Sequence, residues 1–490
     1  MKKLKYVINS LLVLVMVSSC KKAVEVDPIS TITSASFFKT QDDITGALRG
    51  MYYNLRLSAT SDMFFLGEGR SEVLTSAAAG TTGLDKYYKN TLTVSNPGPN
   101  WMSFYTTINS ANLILKYAPN ITFTSEAAKN NALAEAYTMR AFNYFVLVRS
   151  WGGVPIRTEP TESYDPATIQ IARSSVADVF KLIKSDLDRA TSLYASNTPS
   201  ASRSSWSKPA ANALKADVYL WTGKVVNGGT ADFTTALNAL NDISSSDFNL
   251  LPNYSDIFSY TNKGNKEVLM SVRFQLLDVP ANTGFNYWMN MAVRVISNVS
   301  STTLAAIGTL ASSPAENIMQ IAPAVRSQFT TDDQRRNGTF YEIYDNSNNY
   351  VTSITTKGNG VVSSGVRSFY TDVMIYRYAE VLLLKAEAKN ALGQDPSAEI
   401  NQLRQRAYGS NFSSHVFVNG TQAQNDAAIL KERLLELATE GKRWWDLIRF
   451  GQVFNLVPSM QGKSADLLLF PIGVTIRSLE PLVTENPGWQ

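Results

Sequence analysis

Two segments of this 490-residue chain match each other almost residue for residue, and both have helical character. The first runs from Ala213 to Gly223 and the second from Leu383 to Gly393. Each is followed by a short loop and a second segment rich in alanine and leucine. Small residues on one helix, a glycine turn and a partner helix are typical of tetratricopeptide repeats. The spacing between units is irregular, so insertions must interrupt the array. We therefore expect a mostly α fold on a scaffold of tetratricopeptide-like helix pairs.

Hydrophobic residues at three-to-four spacing predict seven helices in all. Ser174 or Ser175 is a suitable N-cap for one of them, and Gly152, Gly153 and Pro155 are stop signals for another. The predicted helices cover residues 127–150, 174–194, 210–223, 233–243, 376–393, 398–408 and 426–440.

The composition changes between residues 263 and 370, where Asn, Ser, Thr and Gly dominate. Residues 339–344 and 350–355 are rich in aromatic and β-branched side chains and flank a five-residue polar loop. This pattern predicts a β-hairpin. We expect an irregular, loop-rich insertion with short β-hairpins, and long loops in compact domains are usually functional.

The N-terminus has the order of a secretory signal peptide. Lys2, Lys3 and Lys5 precede an apolar stretch, which is too short to span a bilayer, and small residues then lead to Cys20. A cysteine in this place resembles the bacterial lipobox, in which the thiol is acylated. We predict a signal peptide at 1–19 and a lipidated tether at 20–36, held in the membrane by acyl chains on Cys20.

Composition excludes several classes of protein. Cys20 is the sole cysteine and His415 the sole histidine, so an intrachain disulfide and a multi-histidine zinc site are impossible. His415 lies in polar loop sequence that does not favour a nucleophilic triad. The signal peptide supplies most of the net charge of +4, which gives no support to nucleic-acid binding. No sequence motif indicates a cofactor site or a metal site.

Glu432, Glu436 and Glu440 are spaced to stack along one helical face, where like charges repel. Paired carboxylates can hydrolyse glycosides, but that chemistry needs two carboxyl groups facing across a cleft. We interpret the three as a structural ion-pair network, with Trp444 and Trp445 packed against it. The cations expected to offset them are Arg433, Lys442, Arg443 and Arg449.

The segment from Glu432 to Gly451 resembles the C-terminal signature of the SusD/RagB family of outer-membrane lipoproteins. Arg140 to Arg149 with the Trp-Gly-Gly-Val-Pro that follows resembles the family's N-terminal signature. Tyr376 to Leu383 and the closing Asn486 to Trp489 also match. Together with Cys20, the resemblance spans nearly the whole chain.

The resemblance implies a non-catalytic surface lipoprotein of the outer membrane, lipid-anchored and facing the exterior. Such proteins capture oligosaccharides or glycans and pass them to a SusC-like TonB-dependent transporter. It also implies an N-terminal helical region at 37–262, the loop-rich insertion at 263–370 and a C-terminal helical region at 371–490. Two other hypotheses of function stay open. One is a peptide- or protein-binding helical-repeat lipoprotein, and the other is a secreted hydrolase that uses Asp and Glu.

A glycan site needs aromatic faces with amide, carboxylate or guanidinium groups between them. We selected loop positions that combine these types. Trp101 lies four residues before Tyr105 and could instead pack a helix start, and Tyr341 and Tyr344 do not share one face of a strand. The candidate ligand-binding residues are Tyr87, Tyr88, Asn100, Trp101, Asn286, Tyr287, Trp288, Tyr341 and Tyr344.

Overall fold

The structure is a computed structural model that describes residues 34–490, apart from 79, 81–82, 164, 244–245, 276–287, 291–297 and 308–315. The predicted signal peptide and Cys20 lie outside the described residues. The same is true of Asn286 and Tyr287.

Nine helices of at least twelve residues carry the described part of the chain. They are α1 Gln41–Ala59, α2 Met102–Tyr117, α3 Glu126–Trp151, α4 Val176–Leu193, α5 Lys208–Val225, α6 Gly229–Asn241, α7 Tyr378–Ala391, α8 Ser397–Tyr408 and α9 Gln422–Leu437. Shorter α-helices are Ser34–Phe37, Asp62–Phe64, Asp85–Tyr88, Pro166–Ile169, Ser301–Ile307, Pro323–Arg326, Arg335–Thr339, Arg443–Arg449, Val453–Leu456 and Val474–Leu479. Phe65–Gly69 is a π-helix, and 3₁₀ turns occupy Ala118–Asn120, Tyr254–Phe258, Tyr260–Asn262, Gly409–Ser414, Pro458–Met460, Ala465–Leu468 and Pro487–Trp489.

All seven predicted helices are present as α3 to α9, although Tyr376 and Arg377, which the pattern assigned to α7, belong to a strand that precedes it. The side chain of Ser175 caps α4 by accepting a hydrogen bond from the backbone N–H of Asp178 at 3.1 Å. Helix α3 ends at Trp151 because Gly152 adopts a φ of 75°, which glycine reaches without strain.

The long helices form tetratricopeptide-like pairs, in which α3 packs on α4, α5 on α6 and α7 on α8. The two matching segments are α5 and α7. Their equivalent acids, Asp217 and Glu387, are both buried and bind the same guanidinium, that of Arg449, at 2.6 and 3.0 Å. The repeat thus places two carboxylates around one cation from the C-terminal signature.

Eight short strands form four two-stranded antiparallel sheets, which pair β1 with β3, β2 with β8, β4 with β5 and β6 with β7. The strands are β1 Leu74–Ser76, β2 Val268–Val272, β3 Met319–Ile321, β4 Phe340–Tyr344, β5 Tyr350–Thr355, β6 Val361–Ser363, β7 Val366–Ser368 and β8 Val373–Arg377. Strands β4 and β5 confirm the predicted hairpin, with residues 345–349 as its loop.

One helix ends earlier than its periodicity predicts. Helix α9 stops at Leu437, whereas the sequence pattern extends to Glu440. Thr439 and Gly441 both have positive φ values, of 66° and 72°, so the chain reverses direction there. The prediction that Glu440 lies on the helical face of Glu432 and Glu436 is therefore wrong.

No helix within the described ranges combines the length and the apolar character that crossing a membrane requires.

Candidate ligand-binding cleft

The three glutamates of the C-terminal signature form an ion-pair network, in which Glu432 and Glu436 are buried and Glu440 is half-buried. Glu432 pairs with Arg335 at 2.6 Å, and Glu436 pairs with Arg377 at 2.7 Å. Glu440 reaches the same network from the turn after α9. The remaining contacts are Glu432 with Arg404, Glu436 with Arg406 and Arg335, and Glu440 with Arg377 and Lys357. The predicted structural network is confirmed.

The expected cations are not the ones that offset these glutamates. Arg433 follows Glu432 in α9, and neighbouring side chains of a helix point about 100° apart. The other three lie beyond the end of α9 and face other acids. The pairs formed are Arg433 with Asp446, Lys442 with Glu380, Arg443 with Glu72 and Arg449 with Asp217.

The surrounding charges keep Glu436 and Glu440 ionised. Burial by itself would raise the pKa of Glu436, but Arg406, Arg377 and Arg335 hold it well below its usual range. Burial lowers the pKa of Lys357 to about 8, and Glu440 opposes that effect. An ionised carboxylate held by several guanidinium groups has no proton to donate, so Glu436 has a structural role.

Both signature tryptophans are buried, but the arginines over their rings are not those that bind Glu432, Glu436 and Glu440. The guanidinium of Arg70 lies 4.4 Å from the ring centre of Trp444, and that of Arg149 lies 3.9 Å from the ring centre of Trp445. These cation–π contacts add to the packing of the signature segment.

A polar cleft of about 690 Å³ lies beside this network, and we call it the Tyr341 cleft. It lies between the turns at 255–261, the segment from Asn337 to Tyr341 and the chain from Ile354 to Val362. Its lining residues are Ser255, Asp256, Phe258, Ser259, Tyr260, Thr261, Ala306, Asn337, Tyr341, Ile354, Thr356, Asn359, Gly360, Val361 and Val362.

Three segments that line the Tyr341 cleft are fastened to α9 or the turn after it by buried donors. The Tyr254 hydroxyl donates to the carbonyl oxygen of Glu436 at 2.5 Å. Arg335, two residues before Asn337, holds Glu432. Lys357 donates to the carbonyl oxygen of Ala438 at 2.8 Å. The signature helix therefore positions the cleft.

The side chains of the Tyr341 cleft match the chemistry of a sugar. Tyr260 and Tyr341 are half-buried, so each ring is supported by the protein and still reaches the surface. Asp256, Asn337 and Asn359 are exposed and can accept or donate hydrogen bonds to hydroxyl groups. Aromatic rings and neighbouring amide and carboxylate groups are the side-chain types that a glycan-binding site requires.

The two predicted tyrosines of β4 lie on opposite faces of the hairpin, as expected from the strand period. Tyr341 packs beside the buried side chains of Ile343 and Ile354. Tyr344 points the other way, and its hydroxyl donates to Glu342 at 3.1 Å. Only Tyr341 belongs to the cleft.

Trp101 is a core residue. Its side chain is 1% exposed and packs edge-on against Trp151 at 6.0 Å. It offers no ring face to a ligand, so the prediction of a ligand contact at Trp101 is wrong and the packing alternative is confirmed. The side chain of Asn100 accepts a hydrogen bond from the backbone N–H of Met102 at 2.9 Å, at the start of α2.

Tyr87 and Trp288 meet on the ring of Phe65. Tyr87 is 5% exposed and stacks on Phe65 at 4.1 Å, so the prediction that it binds a ligand is wrong as well. Trp288 is half-buried and lies 5.3 Å from the same ring. Tyr88 is half-buried, forms a hydrogen bond with Ser76 at 2.9 Å and lines a different cleft.

Sequence reasoning missed Tyr260 and Tyr350, among other tyrosines that reach the surface. Tyr260 lies between a serine and Thr261 in a polar turn, the same kind of context that selected Tyr287. Tyr350 was treated only as a strand residue, yet it is 39% exposed, and the guanidinium of Arg326 lies 4.4 Å from its ring centre. Applying the aromatic-in-polar-loop criterion throughout would have found Tyr260.

The described residues contain no group of three or more His, Cys, Asp or Glu side chains that could hold a metal ion.

The sequence matches two family descriptions over separate parts of the chain. The SusD family matches residues 324–467. The family described as starch-binding and associating with the outer membrane matches residues 27–220.

Full-length relatives and solved structures are similar to this chain. NanU of B. fragilis is 32% identical with a TM-score of 0.84, and the match covers 95% of this chain and all of NanU. A SusD superfamily protein from Bacteroides vulgatus is 30% identical with a TM-score of 0.82, over 92% of this chain and 100% of that one. SusD-like protein P38 of Formosa agariphila is 28% identical, over 96% of this chain and 97% of the relative.

Proposed function

The chain belongs to the SusD/RagB family, and from this premise we propose that it is a surface glycan-binding protein with its ligand in the Tyr341 cleft. Oligosaccharides present apolar C–H faces and hydroxyl edges. The cleft offers Tyr260 and Tyr341 for the faces, and Asp256, Asn337 and Asn359 for the edges. The single observation that carries the proposal is this pairing of supported rings with exposed polar groups.

Different segments of the chain form the scaffold and the cleft. The segments 37–262 and 371–490 supply the helical scaffold, and the insertion at 263–370 supplies most of the cleft. Tyr260 and Asp256 come from just before the insertion. Asn286 and Tyr287, outside the described residues, remain candidate ligand contacts of the insertion.

Affinity electrophoresis of the full chain against a panel of polysaccharides and oligosaccharides tests the ligand class. We expect retardation by at least one glycan and none by a matched set of peptides. Binding to peptides without binding to any glycan would instead support the second candidate, a peptide- or protein-binding lipoprotein. That alternative rests on the helix-pair scaffold, since such scaffolds also serve protein partners.

We expect the protein to bind its glycan without cleaving it. Asp256 is the one carboxylate among the described lining residues of the Tyr341 cleft, whereas glycoside hydrolysis uses two facing carboxyl groups. The nearby Glu432 and Glu436 are held by arginines. Prolonged incubation with the bound glycan should release no new reducing ends. Turnover that Asp256→Asn abolishes would show the third candidate, a hydrolase, to be correct.

The captured glycan is expected to pass to a SusC-like TonB-dependent transporter in the outer membrane. The match to a family that associates with the outer membrane supports this assignment. Affinity purification of the full chain from its native membrane should recover a TonB-dependent barrel in stoichiometric amount. Recovery of the chain without any barrel protein would contradict the partnership.

Cys20 is expected to anchor the protein to the outer membrane, facing the exterior, through its acyl chains. The Cys20→Ala variant should move from the membrane fraction to the soluble fraction. Unchanged membrane fractionation would show that the anchor is not at Cys20. External protease should digest the wild-type protein on intact cells if it faces outward.

A further inference from the structure

A second cleft, larger than the Tyr341 cleft, lies along one side of α9, and we call it the α9 cleft. Its volume is about 820 Å³, within the usual range of small-molecule sites. It is built from three parts of the chain, residues 71–89, 322–328 and 423–459. None of the residues proposed for glycan binding in the Tyr341 cleft lines it.

Small residues of α9 create the space. Ala423, Ala427 and Leu430 recur at four- and three-residue spacing and so lie on one face of the helix. Ala423 and Ala427 are both exposed. Larger side chains at these two positions would fill the cleft.

The walls are mostly apolar. Leu74, Val325 and Val457 contribute aliphatic surface, and Tyr88 and Phe450 contribute ring surface. A polar oligosaccharide would lose hydrogen bonds to water here without replacement, which is costly. The occupant must therefore be largely apolar.

One polar group in the cleft, the carboxylate of Glu72, indicates that the ligand carries a hydrogen-bond donor. Oε1 of Glu72 accepts hydrogen bonds from both Nε and Nη2 of Arg443, at 2.9 and 2.7 Å. Among the described residues, the buried Oε2 of the same carboxylate has no hydrogen-bond partner. A buried acceptor without a donor is costly, and a ligand hydroxyl would satisfy it.

The charges favour a neutral ligand. Glu72 and Arg443 balance each other, and Nη1 of Arg443 already donates to the carbonyl oxygen of Leu430 at 2.8 Å. Of the other charged lining residues, Lys89 binds Asp85, Asp426 binds Lys224 and Lys431 is exposed to solvent. A charged ligand would have to compete with these internal partners or with water.

We propose that the α9 cleft binds a neutral amphipathic alcohol, whose apolar body packs on Leu74, Tyr88 and Ala427 and whose hydroxyl donates to Oε2 of Glu72. This site is independent of the proposed glycan cleft. Its ligand class, an alcohol with an aromatic or aliphatic body, differs from the polyhydroxylated ligand of the Tyr341 cleft.

Calorimetric titration of the full chain with 3-phenylpropan-1-ol tests the site. We expect saturable binding, weakened roughly tenfold or more by Ala427→Leu, which fills the cleft. The matched control is Ala127→Leu, the same substitution at an exposed position of α3 outside the cleft, which should bind within about twofold of wild type. No saturable binding, or equal binding by Ala427→Leu, would overturn the proposal.

A ligand pair tests the hydrogen bond without any change to the protein. The methyl ether of 3-phenylpropan-1-ol keeps the apolar body and lacks the donor. We expect it to bind the wild-type chain roughly tenfold more weakly, the effect of losing one hydrogen bond to a charged acceptor. An ether that binds as tightly as the alcohol would contradict the role of Glu72.

Discussion

At the scale of single residues, Gly67 lies directly against the C-terminal signature. A Cβ atom at this position would lie 1.9 Å from the carbonyl oxygen of Gly441 and 2.8 Å from the ring of Trp445. Gly67 belongs to the π-helix Phe65–Gly69, which brings the N-terminal part of the chain against the turn after α9. The absence of a side chain is what allows this approach.

We therefore expect Gly67→Ala to destabilise the protein by about 2 kcal/mol or more, since the backbone must move to relieve the overlap. The control is Gly46→Ala in α1, where a Cβ meets nothing within 4 Å. Alanine there should stabilise the helix by up to about 1 kcal/mol. Urea unfolding measures both, and an unchanged Gly67→Ala midpoint would contradict the contact.

Glu135 gives the protein a pH-dependent stability. Its carboxylate accepts a hydrogen bond from the Tyr52 hydroxyl at 2.6 Å. Burial nevertheless raises the pKa of Glu135 from its ordinary 4.5 to about 7. Because the folded-state pKa is the higher one, its contribution to stability is complete below pH 4.5 and is lost as the pH rises through 7.

We expect Glu135→Gln to gain stability relative to wild type as the pH rises, by up to about 3 kcal/mol between pH 5 and pH 8, at about 1.4 kcal/mol per pKa unit. Urea unfolding at several pH values measures the difference. Glu126→Gln, an exposed position on the same helix, is the control. A Glu135→Gln difference that does not vary with pH would contradict the assignment.

The residue scale also shows where sequence reasoning about the site succeeds and where it fails. Tyr341 was selected as a candidate ligand contact, and it is half-buried in the lining of the Tyr341 cleft, so its role in ligand binding stays a prediction. Trp101 and Tyr87 stand in equally polar sequence, yet they are buried, because Trp151 and Phe65 reach them from elsewhere in the chain. Local composition cannot reveal a partner that is distant in sequence.

At the scale of elements, helix α9 connects the glutamate ion-pair network to the Tyr341 cleft. One side of the helix carries Glu432 and Glu436, and its C-terminal carbonyls accept hydrogen bonds from Tyr254 and Lys357. The segments that form the Tyr341 cleft are thus held by one helix end. Damage to the network should reach the cleft even though no network glutamate lines it.

We expect Glu436→Gln to destabilise the protein by about 3 kcal/mol or more, because it leaves Arg335, Arg377 and Arg406 buried without their shared carboxylate. The control is Lys89→Met, which breaks an ion pair with Asp85 on a side chain that is 56% exposed. That pair should contribute less than about 1 kcal/mol. Denaturant unfolding would contradict the network's role if both variants lost the same amount.

The elements show why the end of α9 could not be predicted. Hydrophobic periodicity continues through Leu437 and Ala438, and the spacing of the glutamates suggests that the helix reaches Glu440. The chain instead reverses at Thr439 and Gly441. The turn is set by tertiary contacts, since both oxygens of buried Glu68 accept backbone N–H groups there, from Thr439 and Lys442.

At the scale of the whole molecule, long-range contacts join the two family-matched segments. Arg70 donates to the carbonyl oxygen of Leu467 at 2.6 Å, and Glu72 binds Arg443 at 2.7 Å. The repeat-equivalent acids of α5 and α7 meet on Arg449. These buried contacts make independent folding of either segment unfavourable.

We therefore expect one cooperative unfolding transition for the whole chain. Differential scanning calorimetry should give a single endotherm whose calorimetric and van't Hoff enthalpies agree. The Arg70→Met variant should lower the temperature of that endotherm without splitting it. Two resolved transitions in the wild-type protein would contradict the coupling between the segments.

The overall architecture was predictable from the sequence because helical periodicity and the internal match are local signals. The pairing of α5 with α6 and of α7 with α8 follows from short glycine-containing turns. The ion pairs that hold the cleft were not predictable, since Arg335 and Arg377 are far in sequence from Glu432 and Glu436. Only the three-dimensional structure shows which cation meets which glutamate.

The central claim is that Tyr341 contacts a glycan in a cleft held by α9. Calorimetric titration with the glycan selected by electrophoresis compares the wild-type chain with Tyr341→Ala and with Tyr344→Ala, a tyrosine on the opposite face of the same strand. We predict at least about a fivefold loss of affinity for Tyr341→Ala, because an aromatic contact contributes about 1 kcal/mol, and no loss for Tyr344→Ala. Equal affinity of Tyr341→Ala and the wild-type chain would contradict the claim that Tyr341 contacts the glycan.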